Sequence, residues 1–459
     1  MTPPDENRGV HGGAGKYYIL TWGCQMNVHD SEKLASALEE QGYRPATDSE
    51  DADVILLNTC AIREKAAEKV FSELGRLRPL KRRNPDLVVG VCGCVAQQEG
   101  ARIYERAPHV DIVIGPRATG TLSQAILHAR SSREPSRITD IEVRDDSIRF
   151  PFDRIRRQGA SPAKAYVTIV EGCNHACTFC VVPRTRGREV CRDIEDVLAE
   201  VRHLAARGVV EIEFLGQTVN AYRDGSGKSL ADLLPRAAEV EGIERIRFTT
   251  SHPAQMSERL MDAMAASQPR VCPYLHLPVQ SGSTSVLRAM KRGYDREGYL
   301  RRVDALRRRI PGLALGTDVI VGFPTETEED FEATLSLLDE VQYDTVYSYT
   351  YSSRPHTAAA ELCDPVRPGM KLERLRRLHE RQKQIQETRN REWTGREVLV
   401  LVEGPSQRDQ GEWCGRTPEN RLVNFAGSSS PGRMERVRIR AASAYALRGE
   451  MRCAALDPA

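Results

Sequence analysis

The stretch Glu171-Gly172-Cys173-Asn174-His175-Ala176-Cys177-Thr178-Phe179-Cys180 holds three cysteines within eight residues. An apolar run precedes it and predicts a strand that ends in a glycine-led loop. Three thiolates on one loop can bind three irons of a cubane cluster and leave the fourth iron open. Structural zinc is the alternative, but zinc sites usually pair two CxxC or CxxH units and no second unit follows here. Incidental buried cysteines are the third interpretation, and His175 is interpreted as a spacer.

Downstream of this loop, short apolar runs alternate with amphipathic stretches. The predicted strands are residues 165–170, 209–215, 243–250, 274–279, 313–321 and 344–351, and the predicted helices include 194–207 and 330–341. This alternation predicts βα units around a parallel sheet. Six units are too few for a closed eight-stranded barrel. We therefore expect a partial (β/α)6 barrel with its chemistry at the carboxyl ends of the strands.

A second α/β pattern precedes the barrel and predicts an open parallel sheet. Its predicted strands are residues 17–22, 53–57, 87–91 and 110–114, and its predicted helices are 31–41, 64–77 and 119–128. Cys24, Cys60 and Cys94 each follow a predicted strand, so three distant thiols meet at one sheet edge. This convergence favours a second three-thiolate cluster site over three unrelated buried cysteines. Cys92 competes with Cys94, but it lies in or at the end of its strand, and we assign Cys94.

The remaining segments differ in composition. Residues 131–158 lack an apolar repeat and predict a linker with one strand near 138–143. Residues 370–396 predict a charged helix with nine Lys or Arg against four Glu, interpreted first as a solvated helix. The chain from 397 to 459 has β character and predicts a small all-β barrel. Within it Arg436, Arg438 and Arg440 share one strand face by alternation, a face that is either solvated or binds RNA phosphates.

Composition excludes several classes. The chain has 459 residues, 40% of them apolar and 28% charged, as expected for two or three globular domains. Its net charge of +2 identifies no polyanion partner, so such a partner needs a local patch. We find neither a membrane-spanning run nor a secretory leader, and expect a soluble cytoplasmic protein. In a reducing cytosol, clustered cysteines are metal ligands or catalytic thiols more often than disulfides.

These motifs resemble a known family. GCNHACTFCVVPRTRG, LGQTVNAY, TTSHP, LHLPVQSGS, DVIVGFPTETEEDF and YSYTYSSRP are similar to the methylthiotransferases of the radical S-adenosylmethionine superfamily. The resemblance implies an N-terminal cluster-binding domain at 16–130, carrying TWGCQMNVHDSE, NTCAIREKA and CGCVAQQEG, and a linker at 131–158. It further implies a radical core at 159–396 and a TRAM RNA-binding barrel at 397–459, carrying GRTPENRLVNF. Arg184, Cys191, Thr325 and His356 depart from the family pattern, but none is a cluster cysteine.

The resemblance implies two 4Fe-4S clusters. The cluster on Cys173, Cys177 and Cys180 would bind and reductively cleave S-adenosylmethionine, and the cluster on Cys24, Cys60 and Cys94 would carry the sulfur. The residues expected to contact S-adenosylmethionine are Phe179, Gly216, Gln217, Ser251, Gln280 and Asp318. An aromatic such as Phe179 is nearly as often plain packing.

The activity that the resemblance implies is methylthiolation of carbon 2 of N6-dimethylallyl(isopentenyl)adenosine at position 37 of tRNA. LGQTVNAY and TTSHP match this branch better than those acting on ribosomal protein or threonylcarbamoyl-adenosine, which remain alternatives. A non-catalytic iron-sulfur RNA-binding protein is the alternative from another class. We expect tRNA bound through Arg436, Arg438 and Arg440, a flavodoxin-type electron donor, a sulfur source, no membrane and a monomer.

Overall fold

The computed structural model describes residues 15–61, 64–132, 136–148, 151–155, 163–407, 409 and 411–452. Contacts divide the chain into two compact units. The first is Met1–Arg156 with Arg184–Arg186, and the second is Arg157–Pro183 with Gly187–Ala459. Among the described residues, no helix is both long and apolar enough to cross a membrane.

The first unit is an α/β domain. Its elements are β1 (Lys16–Trp22), α1 (Gln25–Glu40), β2 (Arg44–Pro45), β3 (Val54–Thr59), α2 (Glu64–Arg83), β4 (Val88–Cys92), α3 (Cys94–Glu99), α4 (Ile103–Arg106), β5 (Ile112–Ile114), α5 (Leu122–Ser131) and β6 (Ile138–Asp140). All six strands run parallel in the order β2-β1-β3-β4-β5-β6. Strands β3 and β4 are buried along their whole length, because helices cover both faces of a parallel sheet.

Two elements of this unit differ from the sequence-based expectation. Helix α1 begins at Gln25, six residues before the predicted start at Ser31, because the Cys24 carbonyl accepts from the Val28 amide and starts the helix. Its first turns hold polar residues such as Asn27, which hide the apolar period. The strand expected near 138–143 is β6, which pairs with β5 at the edge of the sheet. The domain boundaries remain predictions.

The second unit begins with the barrel. Its elements are β7 (Lys164–Thr168), β8 (Val170–Glu171), α6 (Val182–Thr185), β9 (Val190–Cys191), α7 (Ile194–Ala205), β10 (Glu211–Leu215), α8 (Leu230–Ala238), β11 (Arg245–Thr249), α9 (Glu258–Ala266), β12 (Tyr274–His276), α10 (Thr284–Ala289), α11 (Arg296–Arg309), β13 (Ala314–Val321), α12 (Glu328–Val341), β14 (Thr345–Thr350) and α13 (Pro368–Arg391). All six predicted barrel strands are present.

The barrel strands form an open arc. They hydrogen-bond as two parallel sheets, β11-β10-β7 and β12-β13-β14. The two sheets meet where the Ser251 amide donates to the His276 carbonyl at 3.2 Å. The described edge strands β7 and β14 do not pair with each other. The partial (β/α)6 barrel is therefore confirmed.

The C-terminal segment is a closed five-stranded barrel. Its strands are β15 (Glu397–Pro405), β16 (Glu412–Arg416), β17 (Leu422–Ala426), β18 (Met434–Ala442) and β19 (Leu447–Met451), in the order β15-β16-β17-β19-β18. Val437 and Ile439 are buried in its core, whereas Arg436, Arg438 and Arg440 are exposed. The predicted alternation along this strand is confirmed.

Two arginines of β11 fasten this small barrel to the open one. The Arg245 guanidinium donates to the carbonyls of Arg416 and Leu399, each at 2.8 Å. The Arg247 guanidinium donates to the carbonyls of Thr417 at 2.7 Å and Pro418 at 2.8 Å. Both arginines are buried, so each satisfies carbonyls that water does not reach.

Helix α13 is less solvated than its composition suggests. Arg374 is buried and donates to the Glu326 carboxylate at 2.7 Å, and Arg377 pairs with Glu328. Arg381 pairs with an acid of α12, Asp339. Carboxylates therefore neutralise much of the positive charge of this helix within the fold.

Candidate metal centres and cofactor site

The cysteine-rich loop lies at the carboxyl end of the first barrel strands. Cys173, Cys177 and Cys180 fall between β8 and α6, and all three are free thiols. Gly172 starts the loop with a φ of +81°, and a Cβ there would lie 2.1 Å from the Arg188 carbonyl oxygen. Only glycine fits that conformation and that close approach.

Side chains from the second strand hold this loop from one side. The Gly172 amide donates to Gln217 Oε1 at 2.6 Å, and Cys173 Sγ lies 3.4 Å from Thr218 Oγ1. Both partners directly follow β10. Gln217 therefore positions the start of the cysteine loop, a role that was not part of its predicted contact with S-adenosylmethionine.

The connection between α10 and α11 holds the loop from the other side. Arg292 Nη1 donates to Cys177 Sγ at 3.2 Å, and its Nη2 donates to the Pro278 carbonyl at 3.1 Å. The Thr178 amide donates to the Met290 carbonyl at 3.1 Å. Arg292 thus places a buried positive charge against a thiol, where it favours the thiolate.

The donor set fits an iron-sulfur cluster. Burial raises the pKa of the Cys173 thiol and raises that of Cys180 to about 12. Thiols in such surroundings stay protonated unless a metal binds and deprotonates them. Within the described part of the chain, no three His, Cys, Asp or Glu side chains enclose a single metal ion. A cubane cluster does not require that convergence, because each cysteine binds a separate iron.

Buried polar atoms without partners lie next to this loop. The His252 ring stacks on His175 with centroids 3.9 Å apart. His252 Nε2, Ser251 Oγ and His276 Nδ1 are buried and have no hydrogen-bond partner among the described residues. Each such atom costs about 1–3 kcal/mol if it stays unpaired. Three of them at the ends of β11 and β12 mark a polar ligand site.

The third and fourth strand ends carry further predicted residues. His276 Nε2 lies 3.1 Å from Asp318 Oδ1, and the Gln280 amide donates to the Asp318 carbonyl at 2.8 Å. Burial lowers the pKa of His252 to about 2, and the nearby Arg292 charge lowers it further in the same direction, so this imidazole is neutral at physiological pH.

The predicted cofactor residues separate into two groups. Gln217, Ser251, Gln280 and Asp318 lie along the linked strand ends. Phe179 packs beside the apolar cluster formed by Val286, Met290, Phe323, Tyr351 and Ala359, and a Cβ at Gly216 would lie 2.3 Å from the Val170 side chain. The structure explains these last two by packing, and contact of all six with S-adenosylmethionine remains a prediction.

Sequence reasoning missed three polar residues of this site. His252 and His276 stand in TTSHP and LHLPVQSGS, and a histidine directly after or at the end of a barrel strand was the available signal. Arg292 offered no signal, because its contact with Cys177 joins residues 115 positions apart.

The second cysteine set lies in the first unit. Cys24, Cys60 and Cys94 follow β1, β3 and β4, which are neighbouring parallel strands, so the three loops share one sheet edge. The Cys60 amide donates to the Trp22 carbonyl at 2.9 Å. Gly93 has a φ of +83°, and a Cβ there would lie 2.3 Å from Asn58 Oδ1. The geometry supports the predicted convergence of the three thiols.

Cys92 and Cys94 have different surroundings. Cys92 ends β4 and packs in the apolar core beside Ile112 and Ile114, and burial raises its pKa to about 12. Cys94 begins α3, where burial also raises its pKa but a hydrogen bond with Arg186 opposes the shift. The polar surroundings of Cys94 favour its assignment as the ligand.

Electrostatics favour a thiolate at the third cysteine. The Cys60 hydrogen bond, opposed by burial and aided by the Arg186 charge, lowers the pKa of the Cys24 thiol to about 6. Arg186 Nη2 donates to Asp30 Oδ2 at 2.6 Å. Neither Arg186 nor Asp30 was singled out from the sequence, since their pairing joins residues 156 positions apart.

Three family models match the chain. Residues 16–115 match the uncharacterized protein family UPF0004, residues 167–338 the radical SAM superfamily, and residues 391–451 the TRAM domain.

Curated relatives match nearly the whole chain. The tRNA-2-methylthio-N(6)-dimethylallyladenosine synthase of Bordetella avium is 47% identical over 98% of this chain and 95% of its own. That of Hahella chejuensis is 46% identical over 95% and 98% of the two chains. Among solved structures, the radical S-adenosylmethionine methyltransferase TsrM of Kitasatospora setae has a TM-score of 0.55 at 16% identity, covering 75% of this chain and 76% of that one. It supports the fold.

We predict that Gln217→Ala loosens the cysteine loop. The buried Gly172 amide would lose its acceptor, at a cost of about 1–3 kcal/mol, so reconstituted protein should lose iron to a chelator about tenfold faster. Iron release followed by absorbance measures this. Gln217→Glu keeps the acceptor oxygen and serves as the matched control, and equal release rates for wild type and Gln217→Ala would contradict the positioning role.

Proposed function

The chain belongs to the family of tRNA-2-methylthio-N(6)-dimethylallyladenosine synthases, and from this premise we propose how its residues carry out that reaction. The enzyme adds a methylthio group to N6-dimethylallyladenosine in tRNA, at carbon 2 of the base at position 37. The observation that carries the proposal is the presence of two separate three-thiol edges, each at the carboxyl ends of parallel strands. The tRNA-modifying relatives favour neither a ribosomal-protein substrate nor a non-catalytic role.

The barrel site would hold one 4Fe-4S cluster on Cys173, Cys177 and Cys180. When bound, this cluster and S-adenosylmethionine supply a carbon-centred radical that can remove hydrogen from an unactivated C–H bond, which acid-base groups cannot do at neutral pH. Gln217 and Arg292 hold the cysteine loop from its two sides. Ser251, His252 and His276 offer buried polar atoms to the bound cofactor or base.

The first unit would hold a second 4Fe-4S cluster on Cys24, Cys60 and Cys94, which supplies the sulfur site. The lowered pKa of Cys24 prepares one ligand as a thiolate at neutral pH. Asn27 Nδ2 donates to Asn58 Oδ1 at 3.3 Å, and Asn58 Nδ2 donates to the Asn27 carbonyl at 2.9 Å. These amide bonds join the loop of Cys24 to the strand that precedes Cys60 and fix their spacing.

Other partners follow from the balance of the reaction. Reductive cleavage requires one electron, so we propose a flavodoxin-type donor. Transfer of sulfur in each cycle requires an external sulfur source. A monomeric state remains a prediction.

The C-terminal barrel is proposed to bind tRNA. Its exposed strand face presents Arg436, Arg438 and Arg440, of which Arg436 pairs with Glu397 and Arg440 with Glu450. Arg438 has no ion pair among the described residues. Exposed pairs of this kind are weak, so a phosphate can replace the carboxylate.

We predict that anaerobically reconstituted protein holds about eight irons, as two four-iron cubanes require. Replacing Cys173, Cys177 and Cys180 together with Ala should halve the iron content and leave one cluster, because the second site has its own three thiols. Iron and sulfide analysis measures both proteins. Complete loss of iron, or no loss, would contradict two independent sites.

We predict a division of labour between the sites. Replacing Cys24, Cys60 and Cys94 with Ala should abolish methylthio transfer but leave 5'-deoxyadenosine formation detectable, since only the barrel site cleaves S-adenosylmethionine. Chromatography of the nucleoside products gives both readings. A variant that keeps four irons yet makes no 5'-deoxyadenosine would overturn this assignment.

We predict that Arg436→Ala, Arg438→Ala and Arg440→Ala together weaken tRNA binding and flatten its salt dependence. Each lost phosphate contact lowers the slope of log affinity against log salt by about 0.7 to 0.9. We therefore expect a slope shallower by about 1 to 2 in a salt titration. The control removes three exposed, glutamate-paired arginines of the first unit, Arg76, Arg83 and Arg106.

Equal slopes for wild type and the β18 variant would show that this face is ordinary solvated surface. Side-chain replacement is a cleaner test than a cut after Gly395. The cut would also remove the four carbonyls that Arg245 and Arg247 bind, and so would disturb the open barrel.

A further inference from the structure

Arg186 is a buried arginine beside the second cysteine set. Its side chain is 2% exposed, and so is that of its partner Asp30. The guanidinium hydrogen-bonds the Cys94 thiol, and its charge also acts on Cys24. Although it stands in the segment PRTRG after the barrel cysteines, its contacts place it in the first unit.

The position of Asp30 fixes that of the guanidinium. Asp30 lies in α1, whose first turn starts at Cys24, and its charge acts on both Cys92 and Cys94. The 2.6 Å bond between Arg186 Nη2 and Asp30 Oδ2 leaves other guanidinium donors for neighbouring groups. The cysteine edge therefore faces a fixed pair of opposite charges.

Stability alone does not account for this pair. Removing two charges from water costs several kcal/mol per ion, and apolar residues of similar size often replace a buried ion pair without loss. A buried pair with a donor on a thiol instead has a chemical use. Hydrogen bonds and charges near cluster sulfurs set the reduction potential and the stability of the cluster.

We propose that Arg186 tunes the cluster held by Cys24, Cys60 and Cys94, with Asp30 positioning its guanidinium. The inference rests on the proposed function, because it assigns a role toward the second cluster. The cation stabilises the more negative, reduced form of the cluster and donates to its sulfur ligands. Asp30 opposes that effect while it keeps the guanidinium in place.

The test uses full-length protein with Cys173, Cys177 and Cys180 replaced by Ala, so that remaining iron belongs to the second site. Arg186→Met and Asp30→Asn are added separately, with Arg186→Lys as the variant that keeps the charge. Redox titration followed by electron paramagnetic resonance gives the potential, and iron analysis gives the occupancy. Arg374→Met, which breaks another buried pair in the second unit, is the matched control.

Arg186→Met should lower the ratio of reduced to oxidised cluster about tenfold at a given potential, which is about 59 mV for one electron. Asp30→Asn should shift the potential in the opposite direction, and Arg186→Lys should shift it less than Arg186→Met. Both Arg186→Met and Asp30→Asn break the same ion pair. A purely structural role would therefore affect them alike, and only a charge effect gives opposite signs.

Three results would overturn the inference: shifts of the same sign, no shift at full iron content, or a shift in Arg374→Met as large as in Arg186→Met. If Arg186→Met fails to hold iron, the signs for Asp30→Asn and Arg186→Lys still decide. Loss of all iron in the parent background would instead refute the two-cluster proposal. The two failures are thus distinguishable.

Discussion

A charged network buried inside the open barrel is the interaction on which the second unit depends. Lys164, Glu211, Glu213, Arg245 and Arg247 lie on three neighbouring strands in matching register. Lys164 Nζ lies 2.7 Å from Glu213, and Arg247 Nε lies 3.3 Å from Glu211. Burial works against the charge on Glu211, yet Arg247 and Lys164 hold its pKa below the usual value. Removing one member would leave an uncompensated buried charge, which typically costs about 3–5 kcal/mol. Because the two arginines also bind carbonyls of the C-terminal barrel, the small barrel is joined to the polar interior of the open one.

Much of this fold could be predicted because the strands bury apolar residues against helices. Ile212, Phe214, Ile246 and Phe248 point into the helix-covered core, and their alternation identified β10 and β11. The charged residues between them fit an amphipathic strand equally well, so their burial was not predictable. Their partners come from other strands, which no local pattern connects. The early start of α1 was missed for a related reason, since the buried residues in its first turns are polar.

The site was predictable to the extent that its chemistry is local. Three cysteines on one loop, and three more after neighbouring strands, follow from spacing and from the geometry of parallel sheets. The residues that orient them do not, because Gln217, Arg292 and Arg186 reach the cysteine loops through contacts over long sequence separations. Gln217 was selected from its place at a strand end, but its hydrogen bond to Gly172 gives it a positioning role that the pattern did not contain. Strand ends therefore identify where a ligand binds, and only the folded chain shows which side chains hold the site in place.

The same limit applies to charge. The helix at 368–391 was rich in cations by composition, yet Arg374, Arg377 and Arg381 face Glu326, Glu328 and Asp339. The cations that remain for a polyanion are those that folding leaves exposed beside weak partners or none, such as the β18 face. Arg186, Arg245, Arg247 and Arg292 are buried and act on thiols, carboxylates or carbonyls inside the protein. An arginine count therefore does not measure affinity for RNA in this chain, because many of its guanidinium groups serve as internal hydrogen-bond donors at sites that must remain charged and dry.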